Sequence, residues 1–98
     1  MILEHAVLSV VHGQEDSFVA AFSQAKSIIA GMEGFEGLTL SRCVERPATF
    51  LLLVQWRQLQ DHTEGFRKSP EYEAWRQLLH HFYDPFPVVE HYEQLLTA

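Results

Sequence analysis

FLLLVQW, residues 50–56, is the stretch on which the fold turns. From Phe50 to Val54 the run is apolar on both faces, as in a strand covered on both sides of a sheet. One face is expected to take helices, and the other needs a second cover, which a twin subunit would supply. Upstream, Arg46-Pro47-Ala48-Thr49 reads as a turn, because Pro47 cannot sit in a central ladder. Before it, Phe35–Glu45 reads as a strand, with Leu38, Leu40 and Val44 among polar residues. Further back, Phe18, Ala21, Phe22, Ala25, Ile28/Ile29 and Met32 recur at spacings of three and four, one apolar face of a helix beginning near Gln14. Glu15 and Asp16 suit its first turn and Gly31 and Gly34 bracket its end. Ile2–His12 is a first strand stopped by Gly13. Downstream of Trp56, Gln58–Phe66 predicts one or two helical turns. Ser69-Pro70-Glu71 then caps a helix carrying Tyr72, Trp75, Leu78, Leu79 and Phe82, ended by Asp84-Pro85. Val88–Leu95 is the last strand. The order β-α-β-β-α-β is the split βαβ pattern of an α+β, ferredoxin-like fold: a four-stranded antiparallel sheet with two helices on one face.

At about 100–200 residues per domain, the 98 residues form a single domain, 1–98. Apolar residues make up 47%, enough for a core and too many for a disordered chain. So small a domain gains from a partner, which again favours a homodimer. Seven Lys and Arg against 13 Asp and Glu leave a net charge of −6, the wrong sign for a nucleic-acid phosphate backbone. The single cysteine, Cys43, forms no internal disulfide and points to a reducing compartment. No apolar run approaches membrane-spanning length and no leader pattern opens the chain, so a cytoplasmic protein without a membrane partner is expected.

Leu51-Leu52-Leu53-Val54-Gln55-Trp56, the capping stretch Phe66-Arg67-Lys68-Ser69-Pro70-Glu71-Tyr72, Gly34-Phe35 and Val88-Val89-Glu90-His91-Tyr92-Glu93 together carry a resemblance. Over nearly the whole chain the sequence resembles the antibiotic biosynthesis monooxygenase domain family of dimeric α+β barrels. The resemblance implies a dimeric barrel and a choice among several activities: cofactor-free oxygenation of phenolic or quinol-type polyketides, quinol oxidation, haem degradation, or none known. The haem-degrading branch has an Asn on the first strand, a Trp on the third and a His on the second long helix. Ala6, Trp56 and Arg76 occupy those positions here, so haem turnover is not expected. A family His three residues before the Ser-Pro cap is replaced by Phe66, and the nearest histidine is His62.

Cofactor-free oxygenation needs a dry aromatic pocket, a group that takes a proton, and a dipole that steadies the resulting anion. Histidine is the natural base near neutral pH. His62, just after the Trp56 strand, is the first candidate, against the alternative of a solvent-exposed helix residue. His5 and His91 share strand faces with apolar residues and follow as catalytic candidates, against the alternative of one structural hydrogen bond each. Their strands, the first and the last, are expected not to be neighbours. Trp56 enters the catalytic set through its family position. Phe22, Phe66, Tyr72, Trp75 and Phe82 are the candidate pocket aromatics, against the alternative that they are simply core. His80-His81 reads as favourable charge at a helix C-terminus. No metal-ligand spacing, phosphate-binding loop or nucleophile elbow occurs, so no cofactor and no metal is expected. The reading is a cofactor-independent monooxygenase acting on a small aromatic, phenolic or quinol substrate. The alternative is a non-catalytic dimeric binding or stress-related protein of the same fold.

Overall fold

Glu4, Ala6 and Leu8 are buried on one side of strand β1 (Ile2–Ser9), while His5 and Val7 point to the other. The computed structural model describes all residues from Met1 to Ala98. After β1 come α1 (Glu15–Ala30), β2 (Phe35–Arg42), β3 (Thr49–Trp56), a π-helical turn (Asp61–Phe66), α2 (Pro70–Leu79), a 3-10 turn (His80–Phe82) and β4 (Val89–Glu93). The sheet order is β2-β3-β1-β4, and every pairing is antiparallel.

This order corrects one expectation: β1 and β4 are neighbours. Glu4 pairs with His91 and Ala6 with Val89, so His91 shares the helix-side face with Glu4. His5 pairs with Glu90 and looks out of the opposite face. The expected strand ends also shorten. β2 stops at Arg42 because Cys43 N–H donates to Thr49 O and Thr49 N–H to Arg46 O, closing the turn around Pro47. β1 stops at Ser9, beyond which Val10 makes an isolated bridge to Tyr83.

The two-sided run of β3 divides as its composition implies. Phe50, Leu52, Val54 and Trp56 are buried under the helices, and Leu51 and Leu53 are half-buried on the bare face. Phe18, Phe22, Ala25 and Ile29 form the buried stripe of α1. The Phe18 ring packs 5.0 Å from Phe50 and 5.7 Å from Phe82. Helix α2 starts as its sequence requires: Ser69 Oγ accepts from the Tyr72 N–H at 3.2 Å and donates to Phe66 O at 2.6 Å. It ends at Leu79, and a tighter 3-10 turn carries Phe82 into the core. No helix is long and apolar enough to cross a membrane.

The corner after β3 sets the register of everything that follows. Gly34 has φ +82°, and a Cβ there would collide with the Asp61 carboxyl group. Asp61 in turn accepts from the Gln58 N–H at 3.2 Å, and the Arg57 N–H donates to Gly34 O at 2.8 Å. Pinned at that end, the chain makes one wide turn, closed by Arg67 N–H donating to His62 O at 3.0 Å. Such turns are rare and concentrate at functional sites. Here the turn buries both His62 and Phe66.

Candidate active site

A cavity of about 230 Å³ lies between the helix-side face of the sheet and the chain from the π turn to β4. Ala6, Leu8 and Leu52 form its floor. Phe66, Tyr72 and Trp75 form one wall, and Tyr83, Phe86, Pro87 and Val89 another. Glu4, His62, Arg67 and His80 supply the remaining polar lining. The segment Tyr83–Pro87 is held in place because Asp84 N–H donates to Ser9 O at 2.8 Å and Val11 N–H to Phe82 O at 2.8 Å.

The polar end of the cavity is a connected chain of side chains. Glu4 is 5% exposed, on an inward position of β1, where a carboxylate must find partners or give up its charge. Its Oε1 accepts a 2.9 Å hydrogen bond from Trp56 Nε1–H and lies 3.3 Å from His62 Nε2. His62 Nδ1 and His91 Nε2 share a hydrogen bond of 2.8 Å. The Trp56 and His62 rings stack at 5.5 Å with 17° between planes, and Phe66 flanks both. Tetrahedral zinc would hold two ring nitrogens about 3.3 Å apart, so the 2.8 Å separation of His62 and His91 suits a shared proton. No group of three or more His, Cys, Asp or Glu is arranged to hold a metal ion.

Burial dominates the electrostatics. It raises the Glu4 pKa above the ordinary carboxylate value, opposed by the Trp56 hydrogen bond and the Arg67 charge. Burial, reinforced by Arg67 and His91, lowers His62 to about 3. Burial and then Arg67 lower His91 as well. Burial also raises Tyr72 and Tyr83. His62 is therefore uncharged near neutrality, burial also works against the charged form of His91, and it disfavours the ionised form of Glu4 beside them. Arg67, on the cavity wall, makes no ion pair, unlike its neighbours Lys68 and Arg76.

These opposite shifts have opposite consequences for stability. His62 has a folded value below its unfolded one, so its contribution is complete above about pH 6.5 and is lost as pH falls toward about 3. Glu4 is raised, so its contribution is present below about 4.5 and is lost as pH rises through its folded value. Urea unfolding midpoints measured from neutral to mildly acid pH should separate them. His62→Gln is expected to flatten the acid-side loss, and Glu4→Gln to steepen it. Parallel profiles for the two variants would mean that neither group titrates as described.

The residues singled out from sequence are dispersed by the structure. His62 and His91 come together, with Trp56 directly behind Glu4 and fully buried rather than on the cavity surface. Phe66, Tyr72 and Trp75 line the cavity, whereas Phe22 and Phe82 pack in the core and do not. His5 lies on the opposite sheet face, edge-on to Tyr92 at 5.4 Å. Glu4, Arg67 and Tyr83 were not among the candidates. Glu4 shares strand parity with Ala6 and Leu8, but the other parity of β1 is apolar too, so that pattern alone did not mark it as inward.

Known proteins place this architecture. The chain is 50% identical over 95 residues to the uncharacterized protein YczJ of Bacillus subtilis (strain 168), covering 97% of this chain and all of that one. A solved structure from Bordetella bronchiseptica, assigned as an antibiotic biosynthesis monooxygenase, superposes with a TM-score of 0.92 at 32% identity over 97% of both chains. SnoaB, a cofactor-independent oxygenase from Streptomyces nogalater, shares the fold alone, with a TM-score of 0.78 at 17% identity over 98% of this chain and 94% of its own. The sequence profile of antibiotic biosynthesis monooxygenases matches residues 1–78, and with the fold and these relatives it establishes that the chain belongs to that family.

Proposed function

We propose that this protein is a cofactor-independent monooxygenase acting on a small aromatic, phenolic or quinol substrate. The observation that carries the reading is the aromatic cavity closed at one end by the buried Glu4–His62–His91 chain. Once deprotonated, an electron-rich phenolate can itself reduce oxygen. The substrate gives up two hydrogens and gains one oxygen atom, and the second oxygen atom leaves as water. The protein's tasks are to exclude water, take a proton and steady an anion. The apolar floor and ring-lined walls serve the first, the buried carboxylate–imidazole chain the second, and the Arg67 guanidinium the third.

Size narrows the substrate. An apolar cavity of about 150 Å³ holds benzene, and drug-sized ligands need about 300–1,000 Å³. At about 230 Å³ the cavity suits one substituted ring or two fused rings. Oxygen uptake with benzohydroquinones, naphthohydroquinones and anthrones, corrected for autoxidation, tests the proposal. One- and two-ring quinols are expected to give protein-dependent uptake exceeding that of the three-ring anthrones. Binding of these compounds without any protein-dependent uptake would favour the non-catalytic binding protein instead.

A second copy of the chain, on the bare sheet face, belongs to the same reading. Val7 is 45% and Tyr92 48% exposed there, beside half-buried Leu3, Leu51 and Leu53. His5 sits among them, its Nδ1 buried without a hydrogen-bond partner in the single chain. That placement suits His5 to an interface between copies.

A further inference from the structure

We propose that Glu4 is the residue that exchanges a proton with the ligand in the cavity, and that His62 and His91 are the path by which Glu4 exchanges that proton with solvent. The first part rests on the monooxygenase reading only for its use in catalysis; the proton transfer itself stands on the geometry.

His62, the obvious base, has Nδ1 hydrogen-bonded to His91 at 2.8 Å, and its Nε2 faces Glu4 Oε1 in a close contact of 3.3 Å. To take a ligand proton, His62 would have to break the bond to His91 or admit the ligand between its Nε2 and Glu4. Glu4 lines the same cavity, and its Oε1 accepts from Trp56 and faces His62, which leaves Oε2 free of hydrogen bonds to the chain. The transfer balances simply. The ligand O–H bond breaks, its electron pair stays on the ligand oxygen, and an O–H bond forms on Glu4. The groups facing Glu4 favour that outcome: Arg67 beyond the π turn offsets the new anion, and Tyr72 from α2 and Tyr83 before β4 stay protonated as possible donors to it. His80, beside Tyr72 and Tyr83, has its pKa lowered mainly by burial.

The imidazole pair gives this carboxylate a way out of the core. With Glu4 ionised, His91 Nε2–H donates to His62 Nδ1, and His62 Nε2–H faces Glu4. A proton arriving at His91 Nδ1 then shifts each bond by one position. The His91 proton passes to His62 Nδ1, and the His62 Nε2 proton passes to Glu4. The result is a neutral carboxyl group and two neutral imidazoles of the other tautomer; the reverse sequence unloads it. Only His91 needs access to water, and it is half-buried where Glu4 and His62 are 5% and 3% exposed. The widened π turn supplies the geometry, setting the His62 ring between β1 and β4.

The test uses 4-nitrophenol, whose absorbance separates phenol from phenolate and which does not depend on oxygenase turnover. It is titrated into the protein at mildly acid pH, where the free probe is phenol, in weak buffer, with a pH indicator reading protons released. Wild type is expected to bind it as phenolate without releasing a proton, because the proton stays on Glu4. In Glu4→Gln, bound probe is expected either to remain phenol or to release one proton per phenolate formed. Wild type that binds no probe, binds it only as phenol, or releases a proton for each phenolate would overturn the proposal, as would a Glu4→Gln variant indistinguishable from wild type. His91→Ala, a change at a half-exposed strand position, covers the case of a misfolded Glu4 variant. It should keep the equilibrium but slow reprotonation after a pH jump by about 10²-fold, the low end of what a positioned proton-transfer group contributes, and added imidazole should restore the rate. Unslowed reprotonation would remove His62 and His91 from the path. A proton retained on Glu4 with no oxygen uptake on any quinol would leave this inference intact and remove the monooxygenase reading alone.

Discussion

Trp56→Ala is expected to lower the free energy of unfolding by about 3–5 kcal/mol, the range for removing a fully buried large aromatic. Trp56 is 0% exposed and closes the space between β3, the π turn and Phe35, whose ring meets it edge-on at 6.0 Å. Two effects add to the lost burial. His62 loses the surface on which it stacks, and Glu4 loses the 2.9 Å bond from the indole N–H. That bond is one of the two influences holding the Glu4 pKa down, so its loss also drives the carboxyl toward its protonated form. A domain of this size has only about 5–15 kcal/mol in total, so the variant should be largely unfolded at modest urea concentrations. Trp56→Phe keeps most of the ring and removes only the donor; it should lose less than half as much. Urea unfolding followed by circular dichroism measures both. A loss below about 1.5 kcal/mol for Trp56→Ala, small against the usual range for such truncations, would mean that the π turn collapses onto the gap and that Trp56 does not set the position of His62.

What the chain disclosed in advance, and what it withheld, follows from the range of the interactions involved. Elements stood out wherever a local rule sufficed: the Ser69-Pro70 cap, the three-and-four spacing from Phe18 to Ile29, the turn at Pro47. The proximity of Trp56 and His62 was also accessible, because only six residues and one corner separate them. Glu4 was hidden by its own strand. On β1 both parities carry apolar residues, Leu3 and Val7 on one side and Ala6 and Leu8 on the other. Alternation therefore does not say which side is inside, and an acid reads by default as facing water. Only the pairing with β3 and the cover of α1 and α2 decide the matter. The partnership of His62 and His91 was out of reach for a similar reason. It joins residues 29 positions apart and depends on β4 returning beside β1. The π turn leaves no compositional mark, and it holds both His62 and Phe66 buried. Phe22 and Phe82 show the limit of reading aromatics as a pocket: helical spacing identifies a buried face without saying whether that face meets a cavity or a solid core.

Leu53→Asp is expected to convert a dimer into folded monomers. Leu53 lies at the middle of the bare sheet face, opposite His5 on β1 and Thr39 on β2. Around it, Leu51, Leu3, Val7 and Tyr92 make a surface that water covers poorly in the single chain. A stable interface on this face should bury at least about 1,000 Å² in total. In a two-fold dimer each substitution appears twice and on the same patch. Two carboxylates would then be taken out of water together, at several kcal/mol each. Taking about 3 kcal/mol per carboxylate, and about 1.4 kcal/mol per tenfold in affinity, the dissociation constant should rise by roughly 10⁴. The fold itself should survive, because position 53 points away from the helices and none of the buried core residues shares its face. Sedimentation equilibrium at micromolar concentration, with circular dichroism as the control for folding, reads the outcome. Wild type sedimenting as a monomer would remove the dimer from the reading altogether. A Leu53→Asp protein that stays dimeric would place the contact away from the bare sheet face.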